Sequence, residues 1–316
     1  MNIQFGYRHL YFKARENPQL DAWEFTKQCA RRAEADGFAS FWLMDHFYNF
    51  HGADHNEQFL DVWTTLPALA MATKTIRLGP LVTPVGYRNP ALLARMCATF
   101  DQLCNGRLYL GFGAGGYRPE YTAYGYDFPE KAATRIAQME EAVTIMKLMW
   151  TEPRATFQGK FFQIADAICE PKPMQKSLPK PHPPILIGGV GEKILLRALA
   201  RCGDACNLFG PPDEFRRERE ILKRHCDVAG RDEATIEKTT YDVVLCAGDE
   251  NALRAKMERL EFQPEAWKSL VGTPAQLIER VGEFQREGAE HLLLEFHGND
   301  TESYELFVDQ VMAAFR

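Results

Sequence analysis

Two adjacent residues, Asp45 and His46, sit where an apolar strand-like run, Ser40-Phe-Trp-Leu-Met44, breaks into an aromatic loop, Phe47-Tyr-Asn-Phe-His51. An imidazole there can take or give a proton near neutral pH, and a carboxylate beside it can hold it. A strand-end Asp-His also suits a turn cap, and the residues alone leave both readings open. A second stretch, Ile76 to Pro90, runs from strand formers through Pro80, Leu81, Val82 and Thr83 into a loop punctuated by Pro84, Gly86 and Pro90. Proline removes backbone donors and glycine permits close approach, so this loop is costly and has the look of a ligand holder. The Thr83 hydroxyl can donate to a heteroaromatic ring, and Asn89 before Pro90 reads as an amide cap on the next helix.

Two glycine-rich turns add a place for such a ring and its phosphate. Gly113, Ala114 and Gly115 close the run Leu110-Gly-Phe-Gly-Ala-Gly-Gly116, where backbone can approach a flat ring or a phosphate. The spacing is not the dinucleotide fingerprint, and no acidic partner follows about twenty residues on. Gly188, the last residue of the strand Ile185–Gly188, leads through Gly189, Val190 and Gly191 into a helix, so free N–H groups there suit an anionic phosphate. A tight strand-to-helix turn without a ligand is the plain alternative. Carboxylate pairs such as Glu140-Glu141 and Asp213-Glu214 read as solvated surface. No nucleophile elbow, Walker loop or zinc helix is present, and Cys202-Gly-Asp-Ala-Cys206 lacks metal-ligand spacing.

Those residues need a scaffold. Strands are predicted near Ile3–Tyr7, Ser40–Met44, Ile76–Leu81, Leu108–Gly113, Ile185–Gly188, Ala205–Leu208, Thr240–Ala247 and His291–Phe296. Helices are predicted at Ala22–Ala35, Val62–Ala72, Pro90–Leu103, Arg135–Met149, Glu192–Arg201, Asp213–Ala229 and Thr273–Gln285, with Gly37 and Gly288 as stops. Repeated strand-helix units give a single α/β domain over residues 1–316, a (β/α)8 TIM barrel whose ligand sits at the carboxyl ends of the strands. Residues 151–184 are too long and too rich in proline and aromatic residues for a connection, so they predict an insertion over one barrel end, before strand five, with a small hairpin near Thr156–Phe162.

Bulk properties narrow the function. A net charge of −6 and a pI near 5.8, with no Lys/Arg-rich run, argue against nucleic acid and for a small-molecule substrate. No apolar run reaches the roughly 18 to 20 residues of a membrane span, and Met1-Asn-Ile-Gln-Phe-Gly begins as a strand, so the chain reads as soluble and cytoplasmic with reduced cysteines.

Across nearly its whole length the chain resembles the bacterial luciferase-like superfamily of flavin and deazaflavin oxidoreductases, in its F420-dependent branch. The resemblance rests on Phe41-Trp-Leu-Met-Asp-His46, Ile76-Arg-Leu-Gly79, Val82-Thr83, Tyr87-Arg-Asn-Pro90, Asn105-Gly-Arg107, Leu110-Gly-Phe-Gly-Ala-Gly115, Glu170-Pro-Lys-Pro173 and Pro183-Pro-Ile-Leu-Ile-Gly-Gly189. It implies a luciferase-type barrel binding coenzyme F420, with His46 and Asp45 at the reacting face, and with Pro80, Leu81, Val82, Thr83, Asn89, Gly113, Ala114 and Gly115 near the ring. Gly188, Gly189, Val190 and Gly191 would form the phosphate turn, and a non-proline cis bond would fall near Pro80–Leu81. Hydride would pass between F420 and an activated double bond or a carbonyl/alcohol. FMN is the alternative cofactor, for a monooxygenase that needs a partner flavin reductase, and a non-catalytic flavin-binding barrel is the third reading. Sugar-phosphate dehydrogenases of the family carry an acid just after the strand-four glycines, whereas this chain has Gly116-Tyr117, with Glu120 the nearest carboxylate. Phe12, Phe47, Tyr48, Phe50, Phe112 and Tyr117 would then suit an apolar or aromatic acceptor. A homodimer is implied as well, with Leu66, Leu69, Leu92 and Leu93 offering apolar surface on helices two and three.

Overall fold

The computed structural model describes residues 3–13, 19–49, 57–175, 181–263 and 270–316. Eight parallel strand positions form the barrel: β1 (Gln4–His9), β2 (Ser40–Leu43), β3 (Arg77–Pro80) continued by β4 (Thr83–Pro84), β5 (Leu110–Gly113), β8 (Ile185–Gly188), β9 (Ala205–Leu208), β10 (Glu237–Cys246) and β12 (His291–Phe296). Closure comes from the Leu78–Leu108 bridge and from the pairing of Thr83 with Phe112. Every residue of β2, β5, β8 and β9 is buried, as parallel strands covered on both faces require.

Local signals set the helices. Asp21 caps α1 (Ala22–Ala35) by accepting from Glu24 N at 2.8 Å, and Gly37 leaves the helix at φ 88°. Asn89 caps α3 (Pro90–Leu103), accepting from Ala91 N at 2.9 Å, and α2 (Val62–Ala72) lies beside it. Arg118–Ala123 (α4), Ala132–Thr151 (α5), Leu195–Cys202 (α6) and Pro212–Ala229 (α7) follow, then Glu250–Arg259 (α8), Pro274–Arg286 (α9) and Thr301–Leu306 (α10). The expected hairpin exists as β6 (Ala155–Gln158) and β7 (Gln163–Ala167), antiparallel, with its turn held by Glu141 of α5. Beyond the hairpin the insertion runs along α3 to Gln175, which donates to Leu108 O at 2.9 Å, so it lies on the barrel wall.

Several boundaries differ from expectation. β10 starts at Glu237, three residues before the predicted strand, because its first half pairs with β9 and its far end with the short β11 (Leu270–Gly272). The unpredicted α8 packs Leu253 and Met257 against Val243 and Leu245 in the second half of β10. The non-proline cis bond joins Leu81 and Val82, one residue later than expected. Leu81 N still donates to Leu43 O at 2.7 Å, so strand register persists through that residue.

The barrel interior is layered. Near the amino ends, Trp42 Nε1 donates to Ser40 Oγ at 2.6 Å, Ser40 meets His291 Nε2 at 2.9 Å, and Glu237 binds His291 Nδ1 at 3.2 Å as well as the Tyr109 hydroxyl. Burial alone would raise the Glu237 carboxyl, but His291, Tyr109 and Arg77 outweigh it and hold the group at about 2. Above lies an apolar layer of Trp42, Tyr109, Leu186, Ala205 and Leu293, touched by Leu81 and Val82. Among the described residues no helix is long and apolar enough to cross a membrane.

Candidate functional site

β2 ends at Leu43 and delivers Asp45 and His46 to the barrel mouth, where the two residues diverge. Asp45 turns inward and is buried. Its Oδ2 accepts from Arg88 Nη1 at 2.6 Å, Thr83 Oγ1 at 2.7 Å and Trp63 Nε1 at 3.1 Å. Burial raises its carboxyl, and Arg88 with Thr83 offsets this only in part. Asp45 is expected as a catalytic residue and Thr83 as a ring contact; in the structure the two are hydrogen-bonded to each other. Thr83 has no exposed surface, and its hydroxyl is committed to Asp45 while accepting from Trp63 Nε1 at 3.0 Å. One atom of this network stays open: Asp45 Oδ1 is buried with no hydrogen-bond partner.

His46 keeps 17% of its side chain exposed, and its Nδ1 lies 2.6 Å from Glu120 Oε2. Glu120 itself is fully buried. It also accepts from the Tyr87 hydroxyl at 2.6 Å and from Phe47 N at 2.7 Å. Burial would raise this carboxyl, yet the His46, Tyr87 and Phe47 hydrogen bonds outweigh it and hold it below the usual range. Burial and the Glu120 charge push the Tyr87 phenol far up, so it stays a donor. In sequence Glu120 is only the nearest carboxylate after the strand-four glycines. The signal that could have found it is Arg118-Pro119-Glu120, a proline and an acid in the first turn of α4.

The glycines serve two purposes. A Cβ on Gly188 would lie 2.7 Å from Val82 Cγ1, and one on Gly113 would lie 2.8 Å from Val82 Cγ2. These two positions therefore seat the Val82 side chain against β5 and β8. Gly79 and Gly111 admit the backbone oxygens of Tyr109 and Pro80, at 1.8 and 2.1 Å from the missing Cβ atoms. Gly189 and Gly191 are different: both are exposed, with φ of 132° and 137°, and Val190 between them is 74% exposed. They lead to α6, whose N-cap residue Ile194 supplies no side-chain cap, while Leu196 N in its first turn donates to Gly191 O at 3.2 Å.

The remaining predicted contacts separate. Pro80 is buried at the end of β3, Leu81 and Val82 are half-buried inside the barrel, and Asn89 and Ala114 face an outer cavity of about 340 Å³ shared with Arg88 and Arg135. Gly115 takes φ 71°, with the Tyr121 hydroxyl filling its Cβ position. Of the aromatic residues, Tyr117 lies 6.3 Å from both His46 and Tyr48, and Phe47 stacks on Tyr87 at 4.5 Å. Phe12 is buried against His9 and Phe59, and Phe112 packs in the strand-helix layer, so neither joins His46. Phe50 and His51 fall outside the described residues. Leu66, Leu69 and Leu93 are buried against the barrel, and only Leu92 of the expected apolar surface is exposed, at 56%. All eight cysteines are free thiols.

A deazaflavin or flavin fits this arrangement on the chemistry present. Asp45 Oδ1 requires a donor, and the exposed glycine turn before α6 offers N–H groups to an anion. Comparison with known proteins agrees. A family model described as luciferase-like monooxygenase matches residues 3–269. The F420-dependent glucose-6-phosphate dehydrogenase of Kineococcus radiotolerans is 34% identical over 214 residues, 66% of this chain, and the chain spans 60% of that relative. The enzyme of the same name from Intrasporangium calvum is 34% identical over 316 residues, covering 89% of this chain and 90% of the relative. Among solved structures, an F420-dependent secondary alcohol dehydrogenase in complex with an F420-acetone adduct shares the fold, with a TM-score of 0.81, 22% identity and full coverage of both chains.

Proposed function

The chain belongs to the luciferase-like monooxygenase family, and from that membership we propose that it is an F420-dependent oxidoreductase acting on an uncharged alcohol or the corresponding carbonyl compound. The observation that carries the reading is His46, partly exposed just past the end of β2 and held through Nδ1 by the buried Glu120. The names of the dehydrogenase relatives support the cofactor.

Each part of the chain has a task in this account. Gly189, Val190, Gly191 and the start of α6 would hold the phosphate, and Leu81, Val82 and Asp45 Oδ1 would hold the ring system. Bound there, F420 supplies a hydride acceptor or donor. His46 moves a proton at Nε2, taking it from a substrate hydroxyl in oxidation and returning it to the carbonyl oxygen in reduction. Tyr117 and Tyr48 offer aromatic surface to the substrate beside His46.

An uncharged substrate is favoured because the arginines at the carboxyl ends of β1 and β4 are spent. Arg8 is paired with Glu295 and donates to Tyr241 Oη at 2.8 Å, while Arg88 is paired with Asp45. A phosphate ester would need cations that are not already neutralised. The test is an anaerobic assay of F420 absorbance against a panel of secondary alcohols and glucose 6-phosphate. Bleaching with an alcohol but not with the sugar phosphate is expected. Turnover of glucose 6-phosphate alone would overturn the substrate class.

A further inference from the structure

Glu120 meets His46, Tyr87 and Phe47 from a position 74 residues along the chain from the histidine, with no exposed surface of its own. It cannot reach a substrate. We infer that Glu120 is a positioning residue that fixes the tautomer of His46, keeping the proton on Nδ1 and making Nε2 the nitrogen that exchanges protons at the mouth. This rests on the oxidoreductase reading for its purpose, though not for its geometry.

The donor inventory leads to that tautomer. Phe47 N–H can only donate, and it takes Oε1 at 2.7 Å. Oε2 receives both the Tyr87 hydroxyl and His46 Nδ1 at 2.6 Å. An ionised carboxylate is an acceptor only, so both of those atoms must bring hydrogens. The hydrogen bonds that hold this carboxyl low keep it ionised. A neutral His46 then carries its hydrogen on Nδ1, and Nε2 has the lone pair that a hydroxyl proton needs.

Glu120→Gln separates the readings, because glutamine has one acceptor oxygen and one donor nitrogen. Phe47 N–H cannot reverse its role, so the amide oxygen must face it. The NH2 group then faces Tyr87, which can accept by rotating its hydroxyl, and His46, which can accept only by moving its proton to Nε2. The variant should therefore carry the opposite tautomer.

The experiment is two-bond 1H–15N correlation of the imidazole nitrogens in 15N-labelled full-length protein, in mildly alkaline solution without substrate, with His46→Phe assigning the signal. Wild type is expected to show a protonated Nδ1 and a bare Nε2, Glu120→Gln the reverse, and Tyr87→Phe the wild-type pattern. Nε2–H in the wild type, or an unchanged tautomer in a folded Glu120→Gln, would overturn the proposal. If Glu120→Gln fails to fold, the wild-type and Tyr87→Phe spectra decide alone. An F420 fluorescence titration runs alongside: no binding with Nδ1–H in place would sink the functional reading and leave the tautomer assignment standing.

Discussion

Gly188 provides a sharp test of how the barrel mouth is built. Its backbone lies outside the left-handed region, so alanine is conformationally allowed there, and the only obstacle is the Val82 Cγ1 methyl 2.7 Å from the new Cβ. Valine is stiff at χ1 and cannot swing aside cheaply. Overpacking of this kind costs about 1–3 kcal/mol, and lost glycine freedom in the unfolded chain returns roughly 0.4–1 kcal/mol, so Gly188→Ala should destabilise by about 1–2 kcal/mol. Val82→Ala removes two half-buried methyl groups and should cost about 1–2 kcal/mol on its own. In the double variant the obstacle is gone and the alanine methyl enters the vacated space. Its destabilisation should therefore fall about 1–3 kcal/mol short of the sum of the single variants. Urea unfolding of the four proteins, followed by tryptophan fluorescence with Trp42 in the barrel interior, measures this directly. Additivity within about 0.5 kcal/mol would refute the claim that Gly188 exists to seat Val82.

Other consequences can be checked in the same preparation. Glu237 is held at about 2 against an ordinary 4.5, so its folded-state pKa is depressed, and its contribution is present above about pH 4.5 and lost as pH falls toward 2. That shift corresponds to at most about 3 kcal/mol, and the stability gap between wild type and Glu237→Gln, measured by denaturant titration at a series of pH values, should close over this acid window. Gly79→Ala drives a Cβ to 1.8 Å from the backbone oxygen of Tyr109, which cannot rotate away, and should leave no soluble folded protein, whereas Gly116→Ala meets nothing within 4 Å and should change stability by less than about 0.5 kcal/mol in the same unfolding assay. Asp45→Ala leaves Arg88, among the described residues, Asp61 at 3.7 Å as its one carboxylate, and should destabilise by about 3–5 kcal/mol in thermal melts.

Much of the scaffold was legible because parallel strands announce themselves as short apolar runs and helices by their caps. Ile185–Gly188, Ala205–Leu208 and His291–Phe296 fall where their apolar runs do, and Ala22–Ala35, Val62–Ala72 and Pro90–Leu103 begin at the Asp21, Asp61 and Asn89 caps. His46 stands out in the sequence as a titratable ring just past a strand end. Side-chain direction was not. Thr83 reads as a ring contact and Asp45 as a catalytic group, and nothing in the sequence shows that Trp63 from α2 and Arg88 from the loop before α3 bond Asp45 Oδ2, with Trp63 also reaching Thr83. Gly113 reads as a close approach for a ring or phosphate and Gly188 as the start of a phosphate turn, and the sequence does not show that a Cβ at either would meet Val82, a contact set by the break between β3 and β4. Glu120 stayed hidden because its partners are distant in sequence and its short helix carries little periodic signal.

The central claim is that this barrel holds F420 at His46 and the glycine turn. Titrating the purified protein with F420 and, separately, with FMN while following ring fluorescence tests it most directly, with Gly191→Ala as the control for the phosphate turn. The account predicts saturable F420 binding well below the concentration needed for FMN, and at least tenfold weaker F420 binding in the variant, since φ of 137° strains any side chain there. Tighter binding of FMN than of F420, or F420 binding untouched by Gly191→Ala, would contradict it.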